Sequence, residues 1–221
     1  PSGRLGDLWG RRRMMLLFFF GIGVSALLAA LTQNAWQLAA ALTLLGAFAS
    51  IYHPVGIPML LQSARNPGAV IGINGLSGNL GIAVAALSTG FMVQWLGWRA
   101  AFALPGLISI GCGVLFARLC PQETESPSRR TSKAAVSLPP ALLARVLVVM
   151  TAAAVTGSLL FNFTTNGNAQ LLSERFRGIV EDPALLGVML AGVYALASLA
   201  QVVVGRLIDR VPLKPLYLGI V

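Results

Sequence analysis

The only histidine in the chain, His53, stands between Tyr52 and Pro54 within a long apolar stretch. An ionisable side chain placed there is a functional-site candidate, and an imidazole with an ordinary pKa of about 6.5 can take up and release a proton near neutral pH. The competing reading is a neutral ring that satisfies backbone groups freed by Pro54 or Pro58. Tyr52 shares both readings. Asn74 and Asn79 sit in the next apolar stretch, where an amide facing lipid has no partner, so each must face a cavity or another helix. Further along, Asn162, Thr164, Thr165, Asn166, Asn168 and Gln170 crowd around Gly167. Such polarity beside a glycine fits a discontinuous helix lining a cavity, or else a helix end exposed to water. Tyr194 and Gln201 add polar groups to the segment after that.

The acids lie outside the apolar stretches. Asp7 belongs to the run Gly3-Arg4-Leu5-Gly6-Asp7-Leu8-Trp9-Gly10-Arg11-Arg12-Arg13, and Asp209 to Gly205-Arg206-Leu207-Ile208-Asp209-Arg210-Val211-Pro212-Leu213-Lys214. Both runs share one order: glycine, three residues, aspartate, two residues, a turn former and a cation. Gly10 in the first and Pro212 in the second both suit a tight turn. A carboxylate at a helix end can accept bonds from orphan backbone amides and pair with arginines of a neighbouring helix. The plainer reading makes both runs turns whose charges set topology. No phosphate-cradling loop and no soluble catalytic constellation stands in the sequence, which points to no enzyme activity, no metal and no cofactor. Cys112 and Cys120 share one apolar segment without metal or redox spacing and are expected to be packing residues. Gly72, Gly75, Gly78 and Gly81 recur at every third residue. That spacing winds around a helix of about 3.6 residues per turn, so close packing on more than one side is expected.

The elements that must position these groups are membrane spans. The chain has 221 residues, of which 56% are hydrophobic and 10% charged, with a mean hydropathy of +0.78; soluble domains carry about 25% charged residues. A formal charge of +9 and a pI near 11.1 would suggest nucleic acid for a soluble protein. The cations instead sit in short segments between apolar runs rather than on one face, so no nucleic-acid partner is expected. Six stretches, 14–31, 37–63, 70–95, 100–119, 146–172 and 185–204, approach the roughly 20 apolar residues that a spanning helix needs. The second should kink at His53-Pro54 and Pro58, and 216–221 looks like the start of another span.

The proline- and serine-rich stretch after Cys120 cannot pack in lipid. Residues 1–120 therefore read as one helical bundle, 121–144 as a hydrophilic linker and 145–221 as the start of a second bundle. Arg4, Arg11, Arg12, Arg13, Arg65, Arg118, Arg129, Arg130, Lys133, Arg145, Arg206, Arg210 and Lys214 all fall on one side of the spans. Only Arg99, Arg175 and Arg177 fall on the other. That bias assigns both glycine–aspartate runs and the linker to the cytoplasm. The absent initiator Met and the start within a polar run suggest a piece of a longer chain.

These residues resemble the major facilitator superfamily, whose twelve-span members carry Gly-x-x-x-Asp-Arg/Lys-x-Gly-Arg/Lys-Arg/Lys between the second and third spans and a weaker copy between the eighth and ninth. Gly3, Asp7, Gly10, Arg11 and Arg12 fit the first copy, with Leu8 in place of the usual cation; Gly205, Asp209 and Arg210 fit the second. The linker falls where the family joins its halves, and Trp98-Arg99-Ala100-Ala101-Phe102 resembles its turn before the sixth span. Within the family, Leu42 and Ala85-Ala86 replace an Arg and a Gly-Pro common in drug antiporters. Tyr52-His53-Pro54 and Gly78-Asn79-Leu80-Gly81 are similar to fosmidomycin-resistance-type and related bacterial permeases.

The resemblance implies an all-α polytopic bundle in which the six stretches are the third to eighth of twelve spans. It implies a monomeric secondary active transporter of a small organic solute, embedded in the lipid of a bacterial plasma membrane. Its halves would rock around a midplane site, with protons as coupling ion and export favoured over uptake of a small organic anion or metabolite. Gly3, Asp7, Gly10, Arg11, Arg12, Gly205, Asp209 and Arg210 would form a conformational latch that biases outward-open against inward-open. Tyr52, His53, Asn74, Asn79, Asn162, Asn166, Gln170 and Tyr194 are the candidates for substrate or proton. A non-transporting sensor or scaffold, and an intramembrane enzyme, are the alternatives of other classes; substrate flux would exclude the first, and the second would need product formation.

Overall fold

The computed structural model describes residues 2–62, 64–122, 139–180 and 182–220. Most of the expected linker, with Arg129, Arg130 and Lys133, lies outside the described residues. The first glycine–aspartate run is largely helical: Ser2–Trp9 form α1. Gly10, at φ 98°, turns the chain into α2 (Arg11–Leu31), a conformation that a side chain would strain. The helix α3 (Ala35–Ala49) begins at Asn34, whose side chain accepts the Gln37 N–H at 2.9 Å, as a helix cap should.

The kink expected near Pro54 and Pro58 takes the form of a π-helical turn over Tyr52–Gly56, followed by α4 (Ile57–Leu61). Proline supplies no N–H to the helical ladder, and a single wide turn absorbs the break. Then come α5 (Pro67–Leu96), a turn at Gly97 with φ 81°, α6 (Ala100–Leu119), α7 (Pro140–Arg175), α8 (Pro183–Ile208) and α9 (Leu213–Ile220). No strand occurs among the described residues. Among the described residues, six stretches are long and apolar enough to cross a membrane: Arg11–Leu31, Ala35–Leu61, Pro67–Leu96, Ala100–Leu119, Pro140–Arg175 and Ala184–Ile208.

Two expectations need correction. The helix around Gly167 is not broken; α7 runs for 36 residues without interruption and begins at Pro140, inside the stretch read as linker. After Pro140 the segment holds no proline, and a single glycine costs a helix only about 1 kcal/mol. At about 1.5 Å per residue it is some 54 Å long, so it projects beyond a hydrocarbon core of about 30 Å. Nor is Cys112 packed: it is exposed on α6, while Cys120 is half-buried.

Small residues decide the packing. On one side of α2, Gly23 and Gly106 let α6 approach so closely that a Cβ on Gly106 would stand 3.0 Å from the Gly23 carbonyl. The Ser109 hydroxyl crosses to donate to the Phe19 carbonyl at 2.9 Å. On the other side the Phe48 ring of α3 lies over Gly21, leaving no room for a side chain. At the end that the arginine bias assigns to the cytoplasm, the inner end, Met14 and Met15 pack with Ile51 and Val55, and Phe18, Tyr52 and Phe116 enclose them. A second pair, α5 and α8, lies side by side; α7 meets α8 and otherwise presents its apolar residues outward.

Candidate functional site

The site is the seam between α5 and α8, which differs between its two ends. The helices are antiparallel, with Gly68 beside Gly205 and Asp209, Gly72 beside Gly205 and Gln201, Gly75 beside Gln201, and Ala86 beside Gly187. In the inner half the backbones touch. A Cβ on Gly72 would stand 2.9 Å from the Gln201 carbonyl oxygen, and one on Gly205 would lie 2.6 Å from Gly72 Cα. Only glycine permits that approach between membrane helices. Gly78 and Gly81 meet nothing within 4 Å, so the every-third-residue series packs at its inner members alone.

Asp209 closes this end. It follows the last residue of α8, and its two carboxylate oxygens accept the N–H groups of Gly68 and Ala69, each at 2.8 Å. Those amides begin α5, where no intrahelical acceptor exists and the helix dipole favours an anion. The first copy behaves differently. Asp7 stands 3.8 Å from the Arg11 guanidinium of its own chain segment. Arg11 also donates to the Pro58 carbonyl at 3.2 Å. Arg12 donates to the carbonyls of Ala117 at 2.6 Å and Cys120 at 2.9 Å, which end α6. Gly3 and Gly6 pack on Pro54 and Val55 of the π-helical turn.

Toward the outer end the seam opens into a cavity of about 460 Å³. Ile82, Ala85, Ala86 and Thr89 of α5 form one wall; Leu186, Gly187, Leu190 and Tyr194 of α8 form another; Thr165 and Ala169 of α7 complete it. The Tyr194 hydroxyl donates to the Thr165 carbonyl at 3.4 Å, joining α8 to α7. No charged side chain lines the cavity. It suits an apolar group that carries a few hydrogen-bonding atoms. The register of the flanking contacts places half-buried Asn79 level with Ser198, just inward of the cavity. Ser198 is fully buried and donates to the Tyr194 carbonyl at 2.6 Å.

The remaining candidates scatter. Asn162 is exposed on α7 and donates to the Ser158 carbonyl at 2.9 Å. Gln170 bonds Glu174 at 2.9 Å, one turn on. The side chain of Asn166 lies outside the described residues. The Tyr52 hydroxyl donates to Asn74 Oδ1. His53 is exposed, its ring 5.6 Å from that of Tyr52. It lies eighteen residues beyond Ala35 in the 27-residue stretch Ala35–Leu61, about 27 Å along it, beside the residues that touch α1. Apart from Tyr194 and Thr165, the cavity walls escaped sequence reading because alanine, threonine, leucine and isoleucine are ordinary in spans. Their signal was the spacing of residues 68, 72, 75, 79, 82, 86 and 89, a seam period that the regular glycines obscured.

Fold and seam define a polytopic helical membrane protein with two abutting helix groups. The chain belongs to the Major Facilitator Superfamily, whose family model matches residues 1–221. That is a family of transporters rather than of enzymes, and the protein is an integral, multi-pass membrane protein. A puromycin resistance protein of Streptomyces alboniger is 29% identical over 146 residues, covering 64% of this chain and 28% of the relative. A probable actinorhodin transporter of Streptomyces coelicolor is 29% identical over 119 residues, 51% of this chain and 20% of the relative. The multidrug resistance protein MdtG of Serratia proteamaculans is 25% identical over 218 residues, 95% of this chain and 51% of the relative. The chain thus spans about half or less of the length of these curated relatives. No solved structure matches it.

Proposed function

We propose that the complete protein exports a small organic amphiphile across a bacterial plasma membrane by alternating access, driven by protons. The observation that carries this reading is the unequal seam: backbone contact and the Asp209 bonds at the inner end, an uncharged cavity of about 460 Å³ at the outer. A rocking motion that exchanged closed and open ends would carry a bound molecule across. The lining favours an aromatic or aliphatic body with hydroxyl or carbonyl groups, met by Thr89 and Tyr194. Relatives whose names refer to puromycin resistance, actinorhodin transport and multidrug resistance support export of such compounds.

In this reading Asp209 latches the inner end shut, and Asp7, with Gly3, Gly10, Arg11 and Arg12, serves the first copy of the latch. Asn79 and Tyr194 face the substrate from the seam, and Asn162 from α7. His53, exposed near the inner end, carries the coupling proton. The test is accumulation of labelled puromycin and a panel of aromatic antibiotics in efflux-deficient cells expressing the complete protein, with and without a protonophore. Lower accumulation that the protonophore reverses is expected, and His53→Ala at normal abundance should remove that component. Unchanged accumulation across the panel, or higher accumulation of one compound, would overturn export.

A further inference from the structure

Tyr52 and Asn74 spend their polar groups on each other: the Tyr52 hydroxyl donates to Asn74 Oδ1, and both residues are half-buried. We propose that this bond is a positioning link that couples the two glycine–aspartate ends, so that movement of α1 biases the α5–α8 seam. The link takes its purpose from the transport reading, but it stands on contacts that can be followed residue by residue.

On one side of the link is the π-helical turn. The Tyr52 ring has little freedom, since the Phe18 ring is 5.5 Å away and a Cβ on Gly56 would meet its carbons at 3.0 Å. Three residues on, Val55 is fully buried, and a Cβ on Gly6 of α1 would touch it at 3.0 Å. Pro54 is in ordinary contact with Gly3, at 3.4 Å from a Cβ built there, and Arg11 binds the Pro58 carbonyl at 3.2 Å. The turn cannot shift without displacing α1, nor α1 without displacing the turn. On the other side, Asn74 lies between Gly72 and Gly75, the residues whose backbone meets Gly205 and Gln201 of α8. Six residues toward its start, the Gly68 N–H holds Asp209.

Four steps therefore run from α1 to Asp209: glycine on valine, one π-helical turn anchored by buried Val55 and Gly56, one interhelical hydrogen bond, and glycine on glycine. Close-packed interiors switch between arrangements rather than deform smoothly, and a π-helical turn is a common site for such a hinge. Contiguity becomes coupling only when perturbations at the two ends fail to add.

That is the experiment. In the complete protein, with Cys112, Cys120 and any other native cysteine changed to Ser, spin labels at Arg65→Cys and Lys214→Cys flank the inner end of the seam at exposed positions. The distribution of distances between them gives the ratio of open to closed inner ends for Tyr52→Phe, Asp209→Asn and the double variant. Loss of one interhelical hydrogen bond should raise that ratio roughly threefold to tenfold in Tyr52→Phe. In the Asp209→Asn background the same change should act less than about twofold. Asn74→Ala, which removes the bond from its other end, should show the same non-additivity. Ser77→Ala, which removes only the bond to the Ile73 carbonyl within α5, should act independently of Asp209. Additive effects of Tyr52→Phe and Asp209→Asn would overturn the link. So would unchanged populations combined with altered affinity for transported compounds, which would return the pair to the substrate site. Populations are measured without substrate, so failure of the export reading leaves this result standing.

Discussion

Replacing Gly205 by alanine should open the inner end. A Cβ there would stand 2.6 Å from Gly72 Cα and 2.8 Å from the Gly68 carbonyl oxygen. Carbon atoms rest at about 3.5–4.0 Å, and neither obstacle is a side chain that can swing aside, so α5 and α8 must part by about 1 Å. The Asp209 bonds to Gly68 and Ala69, now 2.8 Å, would then lengthen past the useful range for a hydrogen bond. Both are charge-assisted, but Asp209 is exposed, which limits each to about 0.5–1.5 kcal/mol. Losing the pair costs the closed state about 1–3 kcal/mol, a shift of roughly 5- to 150-fold in the ratio of closed to open inner ends. Alanine is the better helix former by about 1 kcal/mol, so any loss has to come from the contact between helices. Gly78→Ala is the control, because nothing lies within 4 Å of its Cβ position. The spin-label pair at positions 65 and 214 reads the outcome. Identical distance populations for Gly205→Ala and Gly78→Ala would refute the argument that backbone contact closes this end.

Two further outcomes follow from single contacts. Arg12→Ala leaves the Ala117 and Cys120 carbonyls without their guanidinium donor. The last turn of α6 should fray, and maleimide labelling of Cys120 should accelerate several-fold relative to the already exposed Cys112; an unchanged ratio of rates would mean that something else holds this helix end. Gly21→Ala pushes a methyl group into the Phe48 ring and should cost about 1–3 kcal/mol of stability, seen as a lower melting temperature in detergent. Phe48→Leu in the same chain should restore most of it, and failure to do so would show that α2 and α3 are not held by this contact.

The spans were legible because a hydrophobic run of about 20 residues has few alternatives, and glycines with positive φ fell at two of the turns, Gly10 and Gly97. The fate of the polar residues was not. Asn74 and Asn162 are the same side chain in similar apolar surroundings, yet one accepts a bond from another helix and the other donates to its own backbone. Helical rotation and tilt decide between those outcomes, and both are set by the neighbours that a helix meets. Gly167 misled for a related reason. Polar residues beside a glycine weaken a helix without forbidding it, whereas Pro54 and Pro58 remove donors outright and left a visible defect. The height of His53 along its span was not legible either, since it depends on where the span begins, and Asn34 fixes that start by capping α3.

The two glycine–aspartate runs share an order of residues and yet do unequal work. In the second, the aspartate binds another helix, while among the described residues the side chains of Arg206 and Arg210 bind nothing. In the first, the arginines bind other helices, at Pro58, Ala117 and Cys120, and the aspartate reaches no farther than Arg11. The difference follows from what each run abuts. Asp209 meets the start of α5, where free N–H groups call for an anion; Arg12 meets the finish of α6, where free carbonyls call for a cation. A sequence motif with acid and base in fixed order can therefore serve either end of a neighbouring helix. Which half of it is engaged reports the polarity of the neighbour, and the charge left over remains available to a partner that approaches with the opposite polarity.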